Sequence, residues 1–153
     1  MIRLKVDSRE QSALEFRKGV FDEIVTEGLP WADYWCEIDG ATVPLVIERK
    51  SLSDLWGTMT KGHDRFIVEV NKCILAGYHM ILGIEASMQT VWQGFPRSTF
   101  SGESMLKMLA TLRVKYDVEV HFFNSRREFA RYIEELYLSV NRYWKKEGTP
   151  RTF

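Results

Sequence analysis

A run of apolar residues ends abruptly in charge near the middle of the first hundred residues. Residues 45–47 are Leu, Val and Ile, which read as a buried strand, and Glu48, Arg49 and Lys50 follow directly. Because side chains alternate along a strand, Glu48 and Lys50 share one face and Arg49 points the other way unless the strand ends there. A carboxylate binds hard cations such as Mg²⁺, and an ammonium offers a charge to a phosphate or an attacking water. This arrangement suits metal-assisted phosphodiester cleavage.

The four residues after the strand predict the start of a helix. Residues 51–54, Ser-Leu-Ser-Asp, have the S-x-x-D pattern of a capping box, and we expect a short helix from near Ser53 to Thr60. Asp54 therefore has two interpretations, as an acid of the site or as a residue that only caps this helix. A Glu-x-Lys pair is also common on solvated strands. Here a wholly apolar run precedes the pair, which favours the rim of a buried strand.

A second carboxylate is expected to reach the same place from a neighbouring strand. Residues 31–38 form a short aromatic strand that carries Asp33, and Asp39-Gly40 after it is a strong hairpin signal. A hairpin lays this strand beside the strand that carries Glu48. Two carboxylates and Lys50 would then converge.

The N-terminal segment predicts further acidic positions. Residues 2–6 alternate apolar and basic side chains, so we expect a strand that ends at Asp7, with Glu10 just beyond it. Open α/β sheets bind ligands at the carboxyl ends of their strands. Alternatively, Asp7 makes a local turn and Glu10 lies in the first turn of a helix. Apolar residues at helical spacing predict a helix that starts by about Ser12 and runs to residue 27, before Gly28.

These motifs resemble the XPF-type structure-specific endonuclease family. Residues 46–55, VIERKSLSDL, are similar to the family's E-R-K-x-x-x-D signature, and residues 6–10, VDSRE, match its opening V-D-x-R-E. Ala32-Asp33 stands where the family has a Gly-Asp pair. Arg65 and Glu69 stand where the family usually has an Arg and a Gln four residues apart. The resemblance runs from about residue 2 to residue 85, with an insertion of two residues, His63 and Asp64, before Arg65.

The resemblance implies a restriction-endonuclease-like fold and metal-dependent cleavage of branched DNA in repair, recombination or replication. Asp33 and Glu48 would ligate Mg²⁺ or Mn²⁺, with Asp7 nearby. Lys50 would orient or help deprotonate the attacking water, and Arg49 would contact the phosphate or steady the acids. Asp54 is expected behind the metal ligands. The side chains expected to contact DNA are those of Arg9, Glu10, Arg65 and Arg97.

Several other residues are left with open roles. Arg97 lies between aromatic residues in the irregular stretch 95–102, which would either meet the substrate by stacking and phosphate contact or serve only as a connector. Glu69 and Glu85 have no assigned role. His63 and His79 have no ligand partners in the sequence and are assigned to the surface or to packing.

Beyond residue 60, helices and strands are expected to alternate. Helices are predicted over residues 65–76, 103–116 and 126–146, a short helix within 86–94, and strands over 80–85 and 118–122. The order β-α-β-β-α-β-α-β-α predicts a three-layer α/β domain with a central mixed sheet flanked by helices. We expect the nuclease domain to span residues 1–148 and the tail 149–153 to be frayed.

Composition narrows the class of protein. The 153 residues suit one domain, and 21 basic residues balance 21 acidic ones. A simple nucleic-acid-binding domain would be basic, but the acids of a metal site offset a basic face elsewhere. Cys36 and Cys73 have no metal-ligand spacing and are expected to be core thiols in a reducing compartment. With no signal sequence or membrane-spanning run, we expect no membrane partner and a cytoplasmic protein, or a nuclear one if the source is eukaryotic.

The last predicted helix suggests a homodimer. Its apolar residues include Tyr132, Ile133, Leu136, Tyr143 and Trp144, which we expect to spread too widely around the helix to face one core. A second copy would cover the excess and bring two basic segments together. Alternatively, residues 87–102 fold back over this helix. The chain is too short to add the helix-hairpin-helix module of most family members. Either a second copy or a partner protein would supply the grip on duplex DNA, or the specificity is low.

Two other functions are compatible with the sequence. One is a catalytically silent DNA-binding or dimerisation partner, which the intact Asp33, Glu48 and Lys50 disfavour. The other is a nuclease of the same fold that acts in restriction or on RNA.

Overall fold

One mixed sheet of seven strands organises residues 1–148, which are the residues that the computed structural model describes. The strands are β1 (Ile2–Asp7), β2 (Glu23–Glu27), β3 (Tyr34–Ile38), β4 (Ala41–Thr42), β5 (Leu45–Lys50), β6 (His79–Ile84) and β7 (Glu119–Phe122). They lie in the order β2-β1-β3-β5-β6-β7, and β4 pairs with β3. β3 is antiparallel to β1 and β5, whereas β1, β2, β5, β6 and β7 run parallel. The carboxyl ends of these five strands therefore meet at one edge, the carboxyl edge.

Five helices cover the two faces of the sheet. They are α1 (Leu52–Thr60), α2 (His63–Leu75), α3 (Met88–Gln93), α4 (Gly102–Tyr116) and α5 (Arg126–Glu147). Apolar side chains of α5 pack with those of β1, β3 and β5 in one core, and side chains of α1, α2, α3 and α4 form the other core. We call the two sides of the sheet the α5 face and the α2 face. The predicted three-layer architecture is confirmed.

The helix predicted over residues 12–27 is wrong. Residues 8–22 form turns and irregular structure, and the last five residues of the predicted helix form β2, which pairs in parallel with β1. Phe16 and Phe21 do reach the core and pack edge to face at 5.4 Å, but they do so from a loop. Gly19 interrupts this segment with a φ of 84°. The helical spacing of the aromatic residues was therefore incidental, and pairing with distant β1 determined the structure of residues 23–27.

Serine side chains begin four of the five helices. The Ser51 hydroxyl accepts a hydrogen bond from the Asp54 N–H at 3.1 Å, so α1 starts at Leu52, one residue earlier than expected. Ser87, Ser101 and Ser125 cap α3, α4 and α5 in the same way. Each such cap typically stabilises its helix by about 1 kcal/mol. The serine caps of α1 and α5 follow strands that end at the carboxyl edge.

Four of the five apolar residues named for α5 contact one core, and the expectation that not all of them do so holds for Tyr143 alone. At 3.6 residues per turn their five positions span an arc of about 120°, which is the width of a single apolar face. Ile133 and Trp144 are buried, Tyr132 and Leu136 are partly buried against the same core, and Tyr143 is 38% exposed. Residues 87–102 do not cover α5, because α3 packs on α4 within the core of the α2 face. A homodimer stays a prediction that rests on the family resemblance.

The other predictions concern the cysteines, membrane-spanning helices, His79 and the C-terminal tail. Cys36 and Cys73 are buried free thiols, and burial raises the pKa of both to about 12. Among residues 1–148, no helix combines the length and apolarity needed to cross a membrane. His79 lies at the start of β6 and its ring contacts the Glu119 carboxylate at 3.1 Å. The tail predicted to fray, residues 149–153, lies outside the described residues.

Gly83 has no side chain, which lets β6 and α5 approach closely. Replacing Gly83 tests this packing. A Cβ at Gly83 would lie 2.1 Å from Cζ of Phe129, inside the ring that covers the strand. We expect Gly83→Ala to lower the free energy of unfolding by about 2 to 3 kcal/mol, because overpacking forces the ring and α5 to shift.

The matched control is Gly57→Ala, since Gly57 lies within α1 and has open space around its Cα. That substitution should stabilise the protein by up to about 1 kcal/mol, because alanine is the better helix former. Urea titrations of both variants measure the difference. Wild-type stability in Gly83→Ala would mean that Phe129 moves aside freely.

Candidate active site

Two carboxylates face each other at the carboxyl edge, on the α2 face. Glu48 projects from β5 and is only 5% exposed. Asp33 precedes β3, and its Oδ2 accepts a hydrogen bond from the Arg49 N–H at 2.7 Å. Burial and then the adjoining charge of Asp33 raise the pKa of Glu48 well above its ordinary value. Two such carboxylates are stable together only when a proton or a cation lies between them.

Lys50 lies on the same face as Glu48, as the strand alternation predicted. Its Nζ is 3.9 Å from Glu48 Oε1 and 5.8 Å from the centre of the Phe66 ring. The side chain is partly exposed, so the ammonium reaches from the acid pair towards solvent. A substrate phosphate that approached the two carboxylates would meet this charge.

Arg49 points to the α5 face and ties two other acids together. Its Nε donates to Glu85 Oε1 at 2.5 Å and its Nη1 donates to Glu10 Oε1 at 2.6 Å. The arginine side chain is 9% exposed. Of the two roles expected for Arg49, the geometry favours steadying the acids over contacting a phosphate. The side chain of Glu10, which was expected to contact DNA, is 9% exposed and forms an ion pair with Arg49.

Glu10 also has one buried carboxylate oxygen, Oε2, without a hydrogen-bond partner among residues 1–148. Burial and then the Asp33 charge raise the pKa of Glu10, although Arg49 opposes the shift. Unpaired buried oxygens are costly and usually mark an ordered water or an ion.

The donor set fits a hydrated magnesium ion held by Asp33 and Glu48. Mg²⁺ prefers oxygen ligands, keeps several waters and is commonly bound by one or two carboxylates together with substrate phosphates. Across residues 1–148, no group of three or more His, Cys, Asp and Glu side chains is placed to hold a metal ion. Asp33 and Glu48 supply the two carboxylates that such a hydrated magnesium ion needs.

Asp7 was expected among the metal ligands, but its carboxylate instead holds neighbouring parts of the chain in place. Its Oδ1 accepts a hydrogen bond from the Leu29 N–H at 3.0 Å, and its Oδ2 accepts one from Arg9 Nε at 2.9 Å. Arg9 also donates to the Leu29 carbonyl at 2.8 Å. The Arg9 side chain is 71% exposed, although its guanidinium is held by Asp7 and Leu29, and its contact with a substrate stays a prediction.

Glu69 is a site residue that sequence reasoning left open. Its Oε1 accepts a hydrogen bond from the Ala32 N–H at 3.1 Å, and Ala32 has a left-handed φ of 61°. Glu69 thereby holds the residue before Asp33. Two of the three departures from the family pattern, Ala32 for Gly and Glu69 for Gln, are direct partners. Only the structure reveals this, since 37 residues separate them.

A basic pocket opens beside Lys50 between α1 and α2. Its volume is about 350 Å³, and Lys61, Arg65, Phe66 and Glu69 are among its lining residues. We call it the α1–α2 pocket. Arg65 was expected to contact substrate, whereas Lys61 was missed because a single lysine at a helix end carries no pattern.

Asp54 and Arg97 are placed further from the acid pair. Asp54 is exposed in the first turn of α1, where its N–H bonds to the capping serine. Arg97 is exposed in the loop before α4, and Trp56 fastens this loop by stacking on Phe95 at 5.8 Å and donating to the Phe100 carbonyl at 3.0 Å. The described contacts bring neither residue to Asp33 or Glu48. Their site roles stay predictions.

The sheet order and its flanking helices define a restriction-endonuclease-like fold. The family model of the ERCC4 domain matches residues 6–136, and the chain therefore belongs to the ERCC4 domain family. This confirms the resemblance to XPF-type nucleases that the motifs indicated.

Comparison with solved structures shows the same relationship. XPF from Aeropyrum pernix matches with a TM-score of 0.68 and 18% identity, over 94% of this chain and 67% of that chain. XPF from Aeropyrum pernix in complex with DNA matches with a TM-score of 0.64 and 21% identity, over 91% of this chain and 65% of that chain. At these identities the likeness establishes the fold, and the chain spans about two thirds of the length of these relatives. A comparison with curated proteins finds no match.

Proposed function

We propose that this chain is a divalent-metal-dependent endonuclease that hydrolyses phosphodiester bonds in DNA. The observation that carries the proposal is the pairing of the buried Glu48 with the partly exposed Asp33, with Lys50 3.9 Å from Glu48. The pair lies at the carboxyl edge, where a substrate can approach from solvent. Membership of the ERCC4 domain family supports nuclease chemistry at this place.

Each residue of the site would have a separate role in the reaction. Asp33 and Glu48 would hold Mg²⁺ or Mn²⁺, and the bound ion would polarise the phosphate and lower the pKa of a bound water. Lys50 would orient the attacking water and balance the charge that develops on the phosphate. Arg49 would keep the end of β5 in place through Glu10 and Glu85.

Branched DNA is the substrate that we propose, namely a flap, fork or junction. The family resemblance favours this class, and XPF from Aeropyrum pernix has been solved in complex with DNA. In this chain, Arg9 and the α1–α2 pocket offer cations for the phosphates next to the cut. A homodimer or a DNA-gripping partner protein would supply further contacts. This function implies a place where DNA is found, the cytoplasm or the nucleus.

A cleavage panel tests the proposal. Single-stranded, duplex, 5′-flap, 3′-flap, fork and four-way-junction DNAs, with one RNA duplex, are incubated with Mg²⁺, with Mn²⁺ or with EDTA. We expect metal-dependent incision near the branch point of at least one branched DNA and little cutting of linear duplex.

Other outcomes would select the competing functions. Cleavage of the RNA alone, or of unbranched duplex alone, would replace the branched-DNA proposal with another nuclease activity. Binding without any cleavage in either metal would indicate a catalytically silent partner.

A further inference from the structure

A second basic pocket lies on the α5 face, on the opposite side of the sheet from the α1–α2 pocket. It has a volume of about 410 Å³ and is lined by Glu15, Arg126, Arg127 and Arg131. The three arginines occupy the first two turns of α5, which begins just after β7 at the carboxyl edge. We call them the arginine cluster.

Direct contacts connect this cluster to the candidate active site. Arg126 Nη1 lies 3.4 Å from Glu85 Oε1, and the same oxygen accepts the hydrogen bond from Arg49 Nε. Arg49 in turn follows Glu48 in β5. One carboxylate thus separates the first arginine of the cluster from the arginine of the site.

The cluster keeps positive charge available for a ligand. Arg131 pairs with the fully buried Glu134, but Glu134 also accepts hydrogen bonds from Arg17, through its N–H at 3.1 Å and its Nε at 2.7 Å. Arg17 also lies 3.6 Å from Glu135 Oε1, so two acids balance these two arginines and the charge left available is that of Arg127. Arg127 is exposed and has no ion-pair partner within residues 1–148.

Two of the three arginines, Arg126 and Arg131, are fixed in position before any ligand arrives. Arg126 Nη2 donates to the carbonyls of Ser12 and Ala13 at 2.7 and 3.0 Å. Arg17 and Glu134 attach the same loop to α5 further along the helix. A guanidinium held by carbonyls keeps its remaining N–H groups for another acceptor, and its planar fork matches a phosphate.

We propose that the arginine cluster is a phosphate-binding site for the DNA strand, on the far side of the cut from the α1–α2 pocket. The inference rests on the proposed function and adds a path for the substrate. DNA would cross the carboxyl edge, with one flank held by Lys61 and Arg65 on the α2 face and the other by Arg127 and its neighbours on the α5 face. This path also accounts for DNA binding by a chain of zero net charge, because the basic residues flank the acids.

The test measures binding separately from cleavage. A catalytically disabled Glu48→Gln background is titrated with a fluorescein-labelled branched DNA in EDTA, and anisotropy gives the dissociation constant at several salt concentrations. Arg127→Ala should weaken binding by about 5- to 10-fold. The slope of log affinity against log salt should fall by about 0.7 to 0.9, which is the loss of one phosphate contact.

The matched control is Arg142→Ala on the same helix. Arg142 is exposed, bonds to Ser139 Oγ at 2.9 Å and lies about 22 Å further along α5. It should leave both the affinity and the salt slope unchanged. An equal loss in Arg142→Ala would show a diffuse charge effect and overturn the proposed site.

Shortened DNAs test the path itself. The branched DNA is truncated on one side of the incision position or on the other, and each is titrated with Arg127→Ala and Lys61→Ala. The Arg127 effect should disappear with one truncation and the Lys61 effect with the other. Loss of both effects with the same truncation would overturn the path.

Two further outcomes are decisive. Inorganic phosphate at matched ionic strength should compete weakly with the DNA. If it binds the wild type but Arg127→Ala leaves DNA affinity unchanged, the cluster is a site for free phosphate and the DNA path is wrong. If DNA binds and is cleaved yet Arg127→Ala has no effect, the inference fails while the proposed function stands.

Discussion

Glu48→Gln is expected to lower the cleavage rate at least about a thousandfold while the protein stays folded. Glu48 is one of two carboxylates that would hold the ion, and a neutral amide cannot replace its charge. The stabilisation that a metal gives to the transition state is several kcal/mol, and each 1.36 kcal/mol corresponds to a tenfold change in rate. The measurement is single-turnover cleavage of the best substrate from the panel.

The same variant should keep or gain stability in EDTA. Burial and the neighbouring Asp33 already raise the pKa of Glu48, so the metal-free protein resists carrying both charges. Glutamine has the shape of the protonated acid and removes the repulsion. Adding Mg²⁺ should raise the melting temperature of the wild type and leave that of the variant unchanged, since only an ion bound to the folded state stabilises it.

Glu37→Gln is the matched control for this experiment. Glu37 lies in β3 and pairs with Lys5 and Arg3, away from the acid pair. Its loss should leave the cleavage rate near that of the wild type. Cleavage by Glu48→Gln within a few-fold of the wild type would remove Glu48 from the chemistry.

Strand alternation and one turn signal were enough to predict the centre of the site. Glu48 and Lys50 share a face because β5 is regular to its end. Asp39-Gly40 forms the predicted turn, with φ values of 50° and 83°, and brings β3 beside β5. Asp33 lies just outside β3, yet its N–H bonds to the Ile47 carbonyl at 2.9 Å. That bond preserves the orientation that the strand pattern predicted.

The sequence could not predict interactions that depend on distant strand ends. Arg49, Glu10 and Glu85 come from the ends of β5, β1 and β6, and no spacing along the chain relates them. The structure of residues 23–27 was missed for the same reason, because an edge strand is defined by its partner. Local periodicity favoured a helix there, and pairing with β1 prevailed.

Arg49→Met is expected to cost about 3 kcal/mol or more of the free energy of unfolding, in addition to any loss of activity. The arginine is 9% exposed and bridges two acids that are 9% and 12% exposed. Removing one partner of a buried ionic network leaves uncompensated charge in the interior, which typically costs 3 to 5 kcal/mol. An arginine that served only to contact a phosphate would lose rate without this loss of stability.

The cost should depend on pH with a definite sign. Burial and the Asp33 charge already raise the pKa of Glu10, and loss of Arg49 removes the main opposing influence. A group whose pKa is raised in the folded state stabilises the protein below its unfolded pKa and loses that contribution as the pH rises. The destabilisation by Arg49→Met should therefore be largest near neutral pH and smaller towards pH ~4.5.

A surface arginine with the same connectivity provides the control. Arg3 also bridges two glutamates, Glu23 at 2.7 Å and Glu37 at 3.3 Å, but its side chain is 37% exposed. Because exposed ion pairs contribute little, Arg3→Met should lower stability far less than Arg49→Met. Adding Glu10→Gln to Arg49→Met should restore part of the lost stability, since the uncompensated acid is removed. Urea unfolding measures the loss of stability in each variant. Equal losses in Arg3→Met and Arg49→Met would show that the burial of Arg49 gives its ion pairs no additional stabilising effect.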